Sequence, residues 1–238
     1  MDWRLRAWRI VGEERIGWSA LRRVLVLTEG QTEEAFIKHV LQPHLWQHDI
    51  SVEPKIVMTK RVIGGANFKG GGDAQKILAD ARRLLGDTDA VAVTTLFDFY
   101  GFPSNLPSVT RNIYRDIDLL TQSIDNAVAN VRFKTYLQRH EFEAFLFVDP
   151  QVTADVARKP DKAATLLQQR SQFETVEDIN LDPTLAPSKR LTAALGPYSK
   201  PLTGSLVTQR IGIDRLRAEC PRFANWLQWL ASLGVSPG

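Results

Sequence analysis

The chain has 238 residues, with 30 Lys and Arg against 27 Asp and Glu, a formal net charge of +3. At 44% hydrophobic and 24% charged residues, it is long enough to bury a sizeable core, and its composition excludes both a disordered chain and a histone-like polycation. The single cysteine, Cys220, excludes an internal disulfide and a cysteine-based zinc site and fits a reducing cytoplasm, and no apolar run reaches the roughly 18 residues that a membrane-crossing helix needs. Residues 1–23 hold six arginines and three acids, hence the whole net charge. Trp3, Trp8 and Trp18 lie among those arginines, without the apolar segment and cleavage site of a signal peptide, so residues 1–23 read as an N-terminal extension.

Val24–Thr28 is a short apolar, β-branched run, the pattern of a buried strand. The spacing of Ala35, Phe36, Val40 and Leu41 predicts a helix with Thr32 as N-cap, Glu33 and Glu34 in its first turn, and Pro43 at its exit. Val52–Met58 reads as a second strand. A glycine-rich loop from Gly64 to Gly72 follows, then a helix capped by Asp73 that uses Ile77, Ala81, Leu84 and Leu85 and ends at Gly86. Ala90–Phe97 is a third strand. Residues 110–129 are helical, and Val131–Leu137 is a fourth strand. After the polar–aromatic segment His140–Phe147, helices are expected over 161–171, 187–195, 204–218 and 221–233. This alternation predicts an α/β fold with a mainly parallel sheet over residues 24–150 and a helical C-terminal part over 151–238.

Open α/β sheets bind ligands at the carboxyl ends of their strands. Those ends carry acids here: Glu29 with Glu33 one turn later, Asp98 after the third strand, and Glu141 with Glu143 after the fourth. Converging carboxylates repel unless a cation or a proton intervenes, and hard oxygen ligands suit Mg²⁺ or Mn²⁺. Each acid alone has a plainer reading as a first-turn or turn residue; three successive strand ends together are harder to dismiss. Charge is also segregated along the chain. Residues 24–150 hold thirteen bases and sixteen acids, and residues 183–222 seven bases and two acids. An acidic front followed by a basic segment suits a metal site beside a polyanion site.

The run Val-Leu-Thr-Glu29-Gly30-Gln-Thr32-Glu33, followed by Leu96-Phe97-Asp98-Phe99-Tyr100-Gly101, resembles the Toprim pattern, and its Glu-Gly-x-Thr-Glu form is similar to the Toprim domain of overcoming-lysogenization-defect (OLD) nucleases. His140-Glu141-Phe142-Glu143-Ala144-Phe145-Leu146-Phe147, Pro187-Ser188-Lys189-Arg190 and Tyr198-Ser199-Lys200 resemble a bacterial Toprim-like family known as domain of unknown function 4276. The resemblance spans residues 23–233. It implies a Toprim-like domain over 24–238 and metal-dependent phosphodiester chemistry. Glu29 would then be the acid nearest the reaction, Glu33 and Asp98 metal ligands, and Glu141 or Glu143 the acid completing a second metal position. Lys200, or less readily Lys189, would supply positive charge near the phosphate. It also implies a bacterial anti-phage role and an ABC-type or OLD-like ATPase partner in trans, since no ATP-binding motif is present. The sequence departs from the pattern at Tyr100, where the second acid of Asp-x-Asp is expected. That departure keeps a second reading open, a non-catalytic binding or regulatory subunit of an ATPase complex.

His140-Glu141-x-x-Ala144 is not a zincin motif, because a second His is absent at 144. His140 either orients a neighbour or touches a phosphate, or it is structural. Glu141 and Glu143 stand about 200° apart on a helix but share a face on an extended segment, which favours Glu141 as the ligand. The glycine loop lacks a Walker A ending; Lys69 could still serve there as a counter-charge. Lys189, Arg190, Lys200, Arg210, Arg215, Arg217 and Arg222 either line one groove that tracks a nucleic-acid backbone or form a solvated face, and the scarcity of nearby acids favours the groove. Trp226 and Trp229 belong to an apolar terminal helix that reads as core. The expected function is thus a cytoplasmic, Mg²⁺- or Mn²⁺-dependent nuclease acting on DNA or RNA, with no membrane partner and with self-association left open.

Overall fold

The computed structural model describes residues 21–57, 73–107, 109–179 and 185–234. Among them, β1 (Arg22–Thr28), β2 (Ile50–Ile56), β3 (Ala90–Asp98), β4 (Phe133–Lys134) and β5 (Leu137–Gln138) form a parallel sheet. Its order is β2-β1-β3-β4, with β5 also pairing with β3. Five consecutive residues of β1, Val24–Thr28, are buried. Both faces of this central strand are covered, so it reads as a continuous apolar run. Leu25, Leu27, Val93 and Phe97 face α3 (Ala74–Leu85) and α4 (Ile117–Val128). Val24, Val26, Ala92 and Leu96 face the opposite core, built with Phe36, Phe142, Phe145, Phe223 and Trp226. The fold is α/β, a mainly parallel sheet flanked by helices with a helical C-terminal part, as the alternation predicts.

Several local expectations need correction. β1 begins at Arg22, inside the segment read as an extension, because Arg23 pairs with Glu53 at 2.7 Å and Asp87 at 3.3 Å. Gly30, not Thr32, occupies the N-cap of α1 (Gln31–Phe36). The helical run does not stop at Pro43. A π-turn over Ile37–Leu41 leads into α2 (Gln42–Leu45) and a 3₁₀ turn over Trp46–His48. The wider turn, in which the Gln42 N–H donates to the Ile37 carbonyl, makes room for a proline that cannot donate. Gln42 then covers the outer edge of β2: its amide donates to the Ile50 carbonyl and accepts from the Val52 N–H at 2.8 Å. Pro54 sits in that edge strand, where a missing N–H costs least.

The fourth strand is two short pairings rather than one run. Between them, the Thr95 hydroxyl donates to the Tyr136 carbonyl at 2.8 Å and accepts its N–H at 2.9 Å, replacing ladder bonds. Val131, expected within that strand, is fully exposed. A helix missed by periodicity, α5 (Pro150–Val156), starts at Asp149, whose carboxylate accepts the Val152 N–H. After α6 (Ala163–Arg170) and α7 (Pro187–Leu195), the predicted 204–218 helix is two, α8 (Lys200–Ile211) and α9 (Ile213–Glu219). They break at Gly212, whose φ of 79° is a left-handed conformation that glycine adopts freely. α10 (Pro221–Ser232) is seated on the sheet by Trp226, which donates to Thr94 Oγ1 at 3.0 Å and stacks on Tyr136. The buried Glu177 accepts the Arg222 and Phe223 N–H groups at the start of α10. Cys220 is free and buried.

Candidate metal and phosphodiester site

The acids expected at the strand ends come together at the carboxyl edge of the sheet. Glu29 leaves β1 and accepts the Asp98 N–H on Oε1 at 3.0 Å. Gly101 allows this approach, since a Cβ there would stand 3.2 Å from the Glu29 carboxylate. Asp98 ends β3 in register with Gln138 of β5. The chain after β3 is zipped to the chain after β5: the Phe99 N–H donates to the Gln138 carbonyl and the Tyr100 N–H to that of His140. His140 takes a φ of 71° and turns the backbone into an extended Glu141 and a 3₁₀ turn over Phe142–Phe147. The Phe142 N–H then donates to Asp98 Oδ1 at 2.7 Å.

Because Glu141 is extended while Glu143 lies within the first 3₁₀ turn, neither a helix nor a strand describes the pair. Glu141 Oε2 accepts the Ser188 N–H at the start of α7 at 2.9 Å. Glu143 is buried and bonds Lys200 Nζ at 2.5 Å, at the start of α8. Burial, then Glu29, Glu33, Glu143 and Glu141, in falling order of effect, push the Asp98 carboxyl well above the usual aspartate range. All four glutamates therefore bear on Asp98. Burial first, then Glu143, also raises Glu33 against the opposing pull of backbone N–H groups and Lys200. Glu29 as a residue is open to solvent, yet its carboxyl group is hemmed in. Loss of solvation first, and Glu33 second, push it up to about 7 despite the Asp98 N–H. Burial works against the Lys200 charge, but Glu143 outweighs it and holds the ammonium above its ordinary value.

The site carries several unpaired buried atoms. Thr28 Oγ1, Gln138 Nε2, both His140 nitrogens and the Tyr198 hydroxyl have no hydrogen-bond partner. Burial, followed by the Arg139 charge, lowers His140 to about 4, and its ring lies 5.0 Å from that of Tyr100. Among the described residues, no three His, Cys, Asp or Glu side chains form a ready-made metal shell. Their oxygens are instead held by backbone N–H groups and Lys200. The donor set still fits a hard ion chemically, since every strand-end group is a carboxylate and Mg²⁺ characteristically uses one or two carboxylates and keeps several waters.

The basic candidates are dispersed. Lys69 and the glycine loop lie outside the described residues. Lys189 is exposed on α7 and Arg210 on the last turn of α8. Arg190 donates to the Leu185 carbonyl and lies over the Phe173 ring. Arg215 pairs with Asp149, Arg217 with Asp214, and Arg222 with Asp118. Three of the guanidinium groups expected along one groove thus also serve intramolecular ion pairs. Periodicity did not single out the Tyr198 hydroxyl or the Ser188 N–H, although both fall in segments that carry the family resemblance.

A family model described as Domain of unknown function (DUF4276) matches residues 28–231. The chain belongs to this family. The match takes in every strand-end acid and Lys200. Among solved structures, the chain is similar to the C-terminal region of the Burkholderia pseudomallei OLD protein, with 16% identity over 90% of this chain and 99% of that one and a TM-score of 0.45. It is also similar to the C-terminal region of the Xanthomonas campestris pv. campestris OLD protein, with 14% identity over 87% and 97% and a TM-score of 0.35. No curated protein matches the chain. Among the described residues, no helix is long and apolar enough to cross a membrane.

The raised carboxyls set a pH dependence. A carboxyl whose folded pKa exceeds its unfolded value binds more protons when folded, so it stabilises the fold below the unfolded pKa and loses that contribution as pH rises through the folded one. For Glu29 the window runs from its ordinary 4.5 to about 7. The Tm of the metal-free protein is expected to fall across it, and Glu29→Gln to flatten the fall. Parallel pH–Tm curves for the two proteins would count against this account.

Proposed function

We propose that the protein is a divalent-metal-dependent nuclease that hydrolyses nucleic-acid phosphodiester bonds, acting as an effector of bacterial anti-phage defence with an ATPase partner in trans. The observation that carries this reading is the convergence of four glutamates on Asp98 at the carboxyl edge of a parallel sheet, with Lys200 bonded to one of them. Glu29, Glu33, Asp98, Glu141 and Glu143 would hold Mg²⁺ or Mn²⁺. Such an ion acts as a Lewis acid toward phosphoryl oxygens and makes water a better nucleophile. Glu29 would also be the acid nearest the reaction, placed to take a proton from the attacking water. Lys200 would offset charge developing on the phosphoryl oxygens. Lys189, Arg190 and Arg210, with Lys69 of the glycine loop, would meet the nucleic-acid backbone.

The test is cleavage of plasmid DNA and tRNA with Mg²⁺ or Mn²⁺, with a chelator and Glu29→Ala as controls. Chelator-sensitive cleavage that is lost in the variant is the expected result; cleavage that persists in both controls overturns the reading. A second reading, a non-catalytic regulatory subunit of an ATPase complex, is favoured by Tyr100 in place of an acid and by the ammonium already seated on Glu143. A wild type inert with both ions that still joins the ATPase would select it.

A further inference from the structure

Tyr100 stands two residues beyond Asp98, where the sequence pattern would place a second acid. Single exposed aromatics are common on protein surfaces and carry no meaning by themselves; this one is set apart by its position. Among the described residues, the exposed Phe, Tyr and Trp side chains are Trp46 and Tyr100. Trp46 lies just ahead of β2, at the amino edge of the sheet. Tyr100 follows β3, at the carboxyl edge where the acids gather. Its neighbour Gly101 comes so close to them that a Cβ there would stand 3.2 Å from a Glu29 carboxylate oxygen and 3.6 Å from the Asp98 Cβ. The Tyr100 backbone is fixed, because its N–H donates to the His140 carbonyl at 3.2 Å. Its ring is braced by Phe99, 5.9 Å away and inclined at 28°, and by His140 at 5.0 Å. Phe99 in turn packs on the core beneath α3 and α4. Even so, 39% of Tyr100 stays open to solvent. An anchored aromatic surface loses little freedom when a flat ligand lies on it. The acids at this edge offer contacts to ions and none to a base. A nucleotide whose phosphate reached those ions would carry its base one sugar away, with open faces wherever the strand is unpaired.

We propose that Tyr100 is a substrate-contacting residue on whose ring an unstacked nucleobase lies, next to a phosphodiester held at the Glu29–Asp98 edge. This rests on the nuclease reading and makes its substrate single-stranded at the point of contact. Stacking accepts any base, so no sequence preference is expected. The probes are short fluorescein-labelled single strands, DNA and RNA, each beside an abasic strand of the same backbone and length. Binding is read by anisotropy with Ca²⁺ in place of Mg²⁺. The wild type is expected to bind a base-bearing strand about tenfold more tightly than its abasic counterpart, and Tyr100→Leu to remove that advantage. Tyr100→Phe should keep it, as should Trp46→Leu at the other edge of the sheet. Abasic-strand binding, and Mn²⁺ affinity by calorimetry, should be unchanged in Tyr100→Leu. Equal binding of the two strands by the wild type overturns the proposal without any variant. So does a leucine variant that retains the advantage, or a phenylalanine variant that loses it, since the hydroxyl would then be the contact. A leucine variant that fails to fold, or that loses Mn²⁺ affinity to match, also overturns it, because the ring would then serve the fold or the ion. The nuclease reading fails separately: a wild type that prefers the base-bearing strand without cleaving it under Mg²⁺ sinks catalysis and leaves the Tyr100 contact standing. A wild type that binds no strand sinks the contact itself.

Discussion

Asp98→Asn is expected to abolish metal-dependent cleavage while making the metal-free protein more stable. The asparagine side chain keeps an oxygen to accept the Phe142 N–H that Asp98 Oδ1 now accepts at 2.7 Å, so no buried donor is orphaned. What disappears is a carboxyl that four glutamates oppose. Above the range in which these acids ionise, relief of that repulsion should raise the metal-free Tm by roughly a few degrees. The same change removes a ligand from the proposed ion site. Divalent-ion affinity is expected to fall by about a hundredfold, and cleavage by about a thousandfold or more. Calorimetric titration with Mn²⁺, thermal melts with and without metal, and single-turnover cleavage read the three effects. A lowered metal-free Tm would sink the repulsion account, and wild-type cleavage would remove Asp98 from the chemistry. The opposite signs matter, because the proposed ion site would be costly to keep without its cation.

The second large effect belongs to the core beneath the site. Phe145 is fully buried and its ring lies 5.5 Å from Phe36, 5.3 Å from Phe142 and 5.2 Å from Phe223. These rings join α1, which carries Glu33, to the 3₁₀ turn that carries Glu143 and to α10. Phe145→Ala leaves a cavity among them and is expected to cost about 3–5 kcal/mol. That is a large part of the roughly 5–15 kcal/mol that holds a domain folded. At this chain length it corresponds to a Tm drop of roughly 6–20 °C. Val131→Ala, at a fully exposed position, should change stability by less than about 0.5 kcal/mol. Denaturant melts of both variants check the contrast; equal midpoints would refute the assignment of Phe145 to the core. Looser packing under Glu33 and Glu143 should also weaken Mn²⁺ binding in the Phe145 variant.

Much of this architecture is legible locally. β1 and β3 are buried on both faces, so each appears as an apolar run, and the acids that end them are neighbours in the chain. Asp73 caps α3 as expected, accepting the Gln75 N–H. Local signals mislead where a distant group takes over a backbone role. Pro43 reads as a stop, but a π-turn absorbs it. Thr95 supplies the bonds that split the fourth strand. The choice of Glu141 over Glu143 rests on one periodicity for a segment that changes conformation between the two residues.

By itself, then, the sequence determined the order of strands and helices and the placing of acids at the strand ends, because burial patterns and strand-to-helix turns are written over a few adjacent residues. Only the tertiary structure decided that four glutamates bear on Asp98, that Lys200 lies on Glu143, that Ser188 holds Glu141, and that the Tyr198 hydroxyl is buried without a partner. Those facts depend on how α7 and α8 settle over the sheet edge. Hydrogen bonding and desolvation there are set by groups far apart in the chain, which no local pattern encodes.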